Sequence, residues 1–376
     1  MTILRVLSIF GTRPEAVKMA PVVQRLAATP GVDARVCVTA QHRQMLDQVL
    51  DLFDIHPDVD LDLMKPDQSL AALTAAVFTH LEPVLVDLKP DWVLLQGDTT
   101  TVMAAAILAF YQRIKVGHVE AGLRTGDKYQ PFPEEINRRI AGVTADLHFA
   151  PTETSRRNLL REGIPAERIL VTGNPAIDAL QTITARPAPP EINALLQRLG
   201  VSAGENRLVV VTAHRRENFG PPLAGICHAL RQLAESDRRL QIVYPVHLNP
   251  NVQEPANRLL SGIANITLLP PLDYLPMIHL LRRAALVLTD SGGIQEEVTA
   301  LGIPALVLRA VTERPEGVEA GVLKLVGSDP GVIVPEAFRL LNDPAAHAAM
   351  AHATNLFGDG HAAGRIVDAI LRYPRQ

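Results

Sequence analysis

Short apolar runs alternate with segments of helical periodicity along the whole chain. A continuous apolar run of four to eight residues is typical of a strand covered on both faces, and the spacing between these runs is typical of crossover helices. The pattern therefore predicts parallel sheets with helices on both faces, an α/β fold. The predicted strands of a first series are 3–10, 34–39, 92–95, 115–119, 147–150 and 169–171, and those of a second are 208–212, 240–246, 266–269, 285–288, 303–308 and 322–326.

The two series of strands predict two domains. A chain of 376 residues exceeds what one hydrophobic core usually organises. Between the series, residues 184–205 include Pro187, Pro189 and Pro190, and we interpret this stretch as the linker. The predicted domains are residues 1–180 and 186–360, and the last helix, about 361–371, is expected to return to the first domain and to bring residues 361–376 with it.

Composition narrows the class of protein. Hydrophobic residues make up 47% and charged residues 20%, and the net charge of −4 argues against a nucleic-acid partner. We see no signal peptide and no apolar segment of membrane-spanning length, so we expect a cytoplasmic protein without a membrane partner. Two cysteines form no framework, and the twelve histidines show no metal-ligand spacing. We therefore expect no bound metal.

The stretch at 289–297 joins a predicted strand to a helix through Gly292 and Gly293. Glycines at such a turn let backbone N–H groups approach an anion, and the positive end of the helix dipole favours a phosphate there. Glu297 lies further along the helix, where its carboxylate is suited to a ribose. The alternative is a tight turn with a solvated acidic face. Arg314, which follows the next strand at the same sheet edge, favours a diphosphate site.

The first predicted strand ends at a turn that contains Arg13 and leads into a helix with Lys18. Neither a dinucleotide fingerprint nor a Walker A sequence is present there. We expect both cations above the sheet, with a solvated charge pair as the alternative.

Three carboxylates follow the next strands of the first domain. Asp98 ends one strand and Glu120 the next, while Glu134 lies in a loop stiffened by two prolines. The alternatives are an N-cap for Asp98 and the acidic first turn of a helix for Glu134. If the three share one cleft, repulsion leaves at least one protonated, as a general acid and base pair requires. In the second domain, His214 beside two arginines suits phosphate, whereas His247 alone favours a structural role.

These segments together resemble one known family. Residues 10–16, 97–101, 117–126, 289–297 and 312–316 are similar, in order, to the bacterial non-hydrolysing UDP-N-acetylglucosamine 2-epimerases. The resemblance implies two Rossmann-like domains of the glycosyltransferase-B type, with the active site in the interdomain cleft and UDP held mainly by the second domain. It also implies a homodimer, UDP-N-acetylglucosamine as substrate and no cofactor.

The resemblance also implies residue roles. Residues on the sugar and diphosphate side are Arg13, Lys18, Asp98, Glu120 and Glu134. Residues on the UDP side are His214, Ser291, Gly292, Gly293, Glu297 and Arg314. The catalytic groups among them are Asp98, Glu120, Glu134 and His214. A second molecule of UDP-N-acetylglucosamine is expected as activator at Gln41, His42, Gln44 and His247, with loop polar groups that are satisfied within the fold as the alternative. Departures from the family pattern are Met277 near the uracil, Ala310 before the 312–316 cluster, and Asp67, where some relatives carry a cation.

The chemistry of the substrate favours one route. The hydrogen at C2 of the sugar is not beside a carbonyl, so it becomes acidic only after activation. Departure of UDP from C1 supplies that activation without a redox cofactor and leads to a 2-acetamidoglucal, to which UDP adds again. Two other functions stay open on this fold, a glycosyltransferase that uses a UDP-sugar and a non-catalytic nucleotide-sugar sensor.

Overall fold

The structure, a computed structural model, describes residues 3–40, 43–63, 68–352 and 354–374, excluding the side chains of residues 43–45. The chain divides into two compact units. Unit 1 consists of Met1–Gln181 and Phe357–Gln376, and unit 2 of Thr182–Leu356.

Unit 1 is built on a seven-stranded parallel sheet in the order β3-β2-β1-β4-β5-β6-β7. Its strands are β1 (Leu4–Phe10), β2 (Val32–Val38), β3 (Val59–Asp60), β4 (Trp92–Gln96), β5 (Lys115–Val119), β6 (Leu147–Ala150) and β7 (Ile169–Val171). Its helices are α1 (Arg13–Ala27), α2 (Arg43–Leu52), α3 (Leu70–Leu88), α4 (Thr100–Tyr111), α5 (Glu134–Thr144), α6 (Glu153–Arg161) and α7 (Pro175–Thr184), which runs into unit 2.

Unit 2 contains a six-stranded parallel sheet in the order β10-β9-β8-β11-β12-β13. Its strands are β8 (Arg207–Thr212), β9 (Leu240–Pro245), β10 (Ile266–Leu269), β11 (Ala284–Thr289), β12 (Ala305–Val307) and β13 (Leu323–Leu325). Its helices are α8 (Pro190–Arg198), α9 (Pro221–Ser236), α10 (Pro250–Leu260), α11 (Tyr274–Leu281), α12 (Gly292–Leu301), α13 (Pro315–Glu319), α14 (Pro330–Asn342) and α15 (Pro344–Met350). The final helix, α16 (Ala362–Arg372), packs against α1 in unit 1.

The predicted pair of parallel α/β sheets is confirmed. All twelve predicted strands are present, and the apolar runs of the central strands are buried on both faces, as Val209, Val210 and Val211 of β8 show. The pattern missed β3, which is only two residues long.

Two expectations from the sequence are wrong. Residues 190–198 of the predicted linker form α8, because Pro190 occupies a first-turn position where proline is favoured and Ile192, Leu195 and Leu196 are buried. The expectation of no membrane-length apolar segment fails at α3, whose 19 residues are long and apolar enough to cross a membrane by length and composition alone. This criterion is weak evidence of a span, and Val77, Leu81 and Leu85 of α3 pack into the core of unit 1.

In each sheet the strand order reverses beside the first strand of the unit. β1 has β2 on one side and β4 on the other, and β8 has β9 and β11. In open α/β sheets, ligands bind beyond the carboxyl ends of the strands at such a reversal. The turns after β1, β4, β8 and β11 are therefore the places to look for a site.

Candidate active site

Glu120 follows β5 in unit 1 and is held by three donors from separate parts of the chain. Lys18 Nζ of α1 lies 2.5 Å from Oε1, Asn174 Nδ2 donates to Oε1 at 2.8 Å, and Gln96 Nε2 donates to Oε2. The backbone of Glu120 has φ +63°, a left-handed conformation that costs a non-glycine residue about 1–3 kcal/mol. Surroundings that fix the residue this firmly are typical of a functional group. Lys18 is nearly buried, so the alternative of a solvated charge is excluded.

Asp98 follows β4 and is bound by α5. Arg138 Nη2 lies 2.5 Å from Oδ2 of Asp98, and Asn137 Nδ2 donates to the Asp98 carbonyl oxygen at 3.0 Å. The N-cap of α4 is Thr99, whose hydroxyl accepts from a backbone N–H, so the alternative of Asp98 as the cap is excluded. Asp98 and Glu120 thus each have a cation of their own, which offsets the repulsion that the sequence predicts.

Glu134 is the first residue of α5 and half-buried, so the acidic first turn that we left as an alternative is present. The next residue, Glu135, is fully buried and accepts from the N–H groups of Thr125 at 3.2 Å and Gly126 at 3.4 Å. Glu135 therefore anchors the loop between β5 and α5 to the helix that carries Glu134 and Arg138.

The turn after β1 is fixed by Glu15. Its Oε2 accepts from the N–H groups of Gly11 at 3.0 Å and Thr12 at 2.8 Å, and its Oε1 accepts from the Thr99 hydroxyl at 2.8 Å. Burial raises the pKa of Glu15, against these hydrogen bonds, which lower it. Arg13, half-buried at the start of α1, is thereby positioned at the reversal between β1 and β4.

His118 is a buried residue of β5 that supports the turn carrying Asp98. Its Nε2 lies 2.7 Å from the Gly97 carbonyl oxygen. Burial lowers the pKa of His118 to about 4, although the contact with Gly97 raises it. The ring is therefore neutral at physiological pH, and its Nε2–H donates to the residue before Asp98.

In unit 2, Ser291 is the N-cap of α12, and the next two glycines have different surroundings. A Cβ on Gly292 lies 2.5 Å from Nη1 of Arg314, so the guanidinium needs glycine there. A Cβ on Gly293 meets no atom within 4 Å among the described residues. Packing within the described chain thus does not require glycine at 293.

Arg314 is held by two acidic side chains. Its Nε lies 2.7 Å from Glu296 Oε1, and its Nη1 lies 3.6 Å from Glu313 Oε2. Burial raises the pKa of Glu313, but Arg314 and Arg309 together lower it to about 2. The prediction that the 289–297 and 312–316 segments share one sheet edge is confirmed by these contacts.

Glu297 is buried on α12, and its carboxylate interacts with the Tyr274 hydroxyl. Burial and the Glu297 carboxylate both raise the pKa of Tyr274 well above its ordinary value, so the phenol keeps its proton. His214, after β8, has its ring stacked on His247, with centroids 5.5 Å apart and planes 16° from parallel. Nδ1 of His247 accepts from the Asn249 N–H at 3.1 Å.

Of the predicted activator residues, Gln41 and His42 lie outside the described residues, and so does the side chain of Gln44. Asp67 does as well. In the described ranges no group of three or more His, Cys, Asp or Glu side chains is arranged to hold a metal ion. A cavity of about 690 Å³ between β7 and α16 contains none of the predicted site residues.

Comparison with known proteins decides the family. A family model described as UDP-N-acetylglucosamine 2-epimerase matches residues 24–371. The probable UDP-N-acetylglucosamine 2-epimerase of Ralstonia solanacearum is 54% identical over 98% of this chain and 99% of that protein, and the Salmonella typhimurium enzyme of that name is 53% identical over 98% and 99%. The chain belongs to the UDP-N-acetylglucosamine 2-epimerase family. The family prediction is confirmed.

The structure of a 2-epimerase solved with its nucleotide sugar confirms the fold. The crystal structure of the UDP-GlcNAc 2-epimerase from Neisseria meningitidis bound to UDP-GlcNAc is 46% identical, with a TM-score of 0.93 over 98% of this chain and all of that one. The predicted glycosyltransferase-B type of fold, with two Rossmann-like domains, is thereby established for this 2-epimerase family member. The roles of individual residues stay predictions.

Several residues that build the candidate site were missed from the sequence. They bind the predicted residues or fix the turns that carry them, and they are Glu15, Gln96, His118, Asn137, Arg138, Asn174, Tyr274, Asp290 and Glu296. Tyr274 and Asn174 lie more than 20 residues from the groups they support, so no local pattern points to them. Glu296 lies within the 289–297 segment, and Arg138 lies four residues after Glu134, so helical spacing was the available signal.

Proposed function

We propose that this protein interconverts UDP-N-acetylglucosamine and UDP-N-acetylmannosamine by epimerisation at C2. Membership of the family over nearly the full length is the observation that carries the proposal. The sites in the two units support it, because one offers carboxylates at fixed positions and the other offers the N-terminus of a buried helix beside an arginine. These are the groups that proton transfer and a leaving diphosphate require.

The proposed reaction begins with cleavage of the bond between C1 and the UDP oxygen, and the bonding electrons leave with UDP. A carboxylate among Asp98, Glu120 and Glu134 removes the C2 proton, and the C–H electrons form the C1–C2 double bond of a 2-acetamidoglucal. Protonation of C2 from the opposite face and return of UDP to C1 give the epimer. No oxidant or reductant is consumed.

Unit 2 is proposed to hold UDP. The backbone N–H groups at the start of α12 and the guanidinium of Arg314 stabilise the diphosphate, and the carboxylate of Glu297 accepts hydrogen bonds from the ribose. Arg13, Lys18 and His214 are proposed to add positive charge or N–H donors as the diphosphate leaves. We place the reaction in the cytoplasm and its product in the synthesis of cell-surface polysaccharide.

The decisive experiment is incubation with UDP-N-acetylglucosamine in D2O. An epimerase that passes through the glucal incorporates deuterium at C2 of both epimers. A glycosyltransferase or a nucleotide-sugar sensor leaves that position unlabelled, and this result would contradict the proposal. Free UDP and 2-acetamidoglucal, trapped at low level after quenching, distinguish elimination from transient oxidation.

We also propose that the protein is a homodimer. The described residues of α3, α4 and α5 leave large apolar side chains exposed, among them Val86, Phe110, Tyr111 and Val143. Exposed apolar surface of this kind is typical of a face that another chain covers. Light scattering on the purified protein measures the mass, and a monomer across the micromolar range contradicts the proposal.

Activation by UDP-N-acetylglucosamine at Gln41, His42, Gln44 and His247 is a further proposal. The stacking of His247 on His214 supports it, because a ligand bound to the first ring then affects the second. Starting from pure UDP-N-acetylmannosamine, we expect a lag that a trace of UDP-N-acetylglucosamine abolishes and that changes in Gln41→Ala. Immediate linear turnover contradicts the second site.

A further inference from the structure

Asp290, the residue after β11, ties together the two turns at the strand reversal of unit 2. It is completely buried. Its Oδ2 accepts three hydrogen bonds, from the N–H of His214 at 2.8 Å, the N–H of Arg215 at 2.9 Å and Nδ2 of Asn218 at 2.9 Å. The backbone N–H of Asp290 donates to the Thr212 carbonyl oxygen at 3.0 Å. One carboxylate oxygen thus anchors the segment that carries His214.

The second oxygen of Asp290 faces the ring of His214. Oδ1 is buried, has no hydrogen-bond partner among the described residues, and lies 3.7 Å from Nδ1 of His214. A buried carboxylate oxygen without a hydrogen-bond donor is unfavourable, so a small rotation of the His214 ring that closes this gap is favourable. Stacking on His247 restricts the ring plane from its other side.

We propose that Asp290 is a positioning residue for the epimerisation, which orients His214 by accepting its Nδ1–H on Oδ1. This inference rests on the proposed function, in which His214 serves the leaving diphosphate. With Nδ1 donating to the carboxylate, Nε2 is the nitrogen left for the leaving diphosphate, and a proton bound there makes an imidazolium whose charge Asp290 stabilises. The same carboxylate therefore fixes the position of the loop and the hydrogen-bonding state of the ring.

The two tasks of Asp290 separate in the variant Asp290→Asn. Its amide keeps the volume of the side chain, and its oxygen accepts from the same three loop donors, so the NH2 group is turned to Nδ1 of His214. Nδ1 must then accept, and the neutral ring carries its proton on Nε2. Asn218→Ala is the matched control, since it removes one donor to Oδ2 and leaves Oδ1 and the ring unchanged.

The measurement is 15N NMR of the full-length protein labelled at histidine, at alkaline pH, with the His214 signals identified by their absence in His214→Asn. We expect the Nδ1–H tautomer in the wild type and in Asn218→Ala, and the Nε2–H tautomer in Asp290→Asn. We also expect kcat of Asp290→Asn to fall about tenfold or more while its affinity for UDP stays within about threefold, as for loss of an orienting carboxylate.

If Nδ1 of His214 is unprotonated in the wild-type protein, the proposal is wrong. This result needs no Asp290 variant, so the test remains valid even if Asp290→Asn folds poorly. The same tautomer in the wild type and Asp290→Asn, or equal loss of kcat in Asp290→Asn and Asn218→Ala, also overturns it, because Asp290 is then an anchor of the loop alone. Deuterium exchange at C2 reports on the proposed function separately, so failure of one is distinguishable from failure of the other.

Discussion

The candidate sites of the two units use different parts of the chain for their chemistry. In unit 1 the groups proposed to react are carboxylates, and the cations that hold them come from far along the sequence, with Lys18 and Glu120 separated by 102 positions. In unit 2 the backbone of α12 presents its N–H groups, and Arg314 is held by Glu296, only 18 positions away. A group that transfers a proton must be held in one orientation, whereas an anion-binding site needs hydrogen-bond donors and room for the anion.

This difference predicts separate kinetic effects. Changes to the carboxylates of unit 1 should reduce turnover with little effect on nucleotide affinity, and changes to Gly293, Glu297 and Arg314 of unit 2 should weaken nucleotide binding. His214 and its partner Asp290 are the groups of unit 2 whose change should instead reduce turnover. If a variant at one of these positions has the effect expected of the other group, the contrast between turnover and affinity is wrong. If each variant changes only turnover or only affinity, the contrast is supported.

The largest effect is expected for the carboxylates of unit 1. Glu120→Gln, Asp98→Asn and Glu134→Gln should each lower kcat by roughly two or more orders of magnitude, which is typical for loss of a general acid or base. The affinity for UDP, measured by calorimetry, should stay close to that of the wild type. Glu82→Gln, an exposed carboxylate of α3, is the control and should keep full activity. Normal turnover in all three variants contradicts the assignment.

The next effect concerns the affinity for UDP. Arg314→Ala and Glu297→Ala should each weaken UDP binding by about 10- to 100-fold, because hydrogen bonds to charged groups contribute roughly 1.5–3 kcal/mol. Calorimetry with UDP measures the change. Arg283→Ala, which alters an exposed arginine of the same unit, should bind UDP as the wild type does. If both site variants keep their affinity, the nucleotide binds elsewhere.

The same contrast explains how much the sequence predicted. In unit 2 the glycine pair, Glu297 and Arg314 lie beside strand ends that the apolar pattern locates, so a local pattern identifies most of the site. In unit 1 the pattern located Asp98 and Glu120, but it gave no sign of Asn174 as a partner. Asn174, which follows β7, reaches Glu120 only because of the order of the strands in the sheet. That order cannot be deduced from any single segment of the sequence.

The pairing of the unit 1 carboxylates with cations was not predicted from the sequence, and the expectation that one of the three carboxylates holds a proton stays a prediction. We expected repulsion among three carboxylates because the loops that carry them converge. Lys18 and Arg138 instead pair with Glu120 and Asp98, at 2.5 Å in each case. The sequence could not pair Arg138 with Asp98, because a loop separates the two residues along the chain. The pairing follows only once the position of α5 is known.

The units should also differ in their response to acid. Burial, the main cause, lowers the pKa of His118 to about 4 and of His148 to about 3, so below pH 6.5 the unfolded chain binds protons that folded unit 1 does not. Stability therefore falls as the pH drops from 6.5, by roughly 2 kcal/mol for each histidine at pH 5. In unit 2, the pKa of Glu313 is lowered to about 2, so its contribution is present above pH 4.5 and is lost only between pH 4.5 and 2.

Calorimetric unfolding at pH 7 and pH 5 tests this contrast. The transition of unit 1 should move to lower temperature at pH 5 before that of unit 2 does, and His148→Asn should reduce the shift by the share of one histidine. His56→Asn is the control, because the His56 side chain is 86% exposed. An acid response that is the same in the wild type and His148→Asn contradicts the assignment.

The smallest effect separates the two glycines at the start of α12. Gly293→Ala adds a methyl group that meets no described atom within 4 Å and should stabilise the helix by about 0.5–1 kcal/mol. It should nevertheless weaken UDP binding by about tenfold, because the diphosphate can no longer approach the backbone N–H closely. Gly364→Ala in α16 is the matched control, since its Cβ also meets no described atom within 4 Å and it is the third residue of its helix, as Gly293 is the second of α12. That variant should gain the same stability and keep its UDP affinity.

Gly292→Ala, whose Cβ lies 2.5 Å from Arg314 Nη1, should instead displace the guanidinium and lower both stability and affinity. Wild-type UDP affinity in Gly293→Ala would show that the diphosphate does not lie against this backbone, and unit 2 would then hold the nucleotide by its side chains.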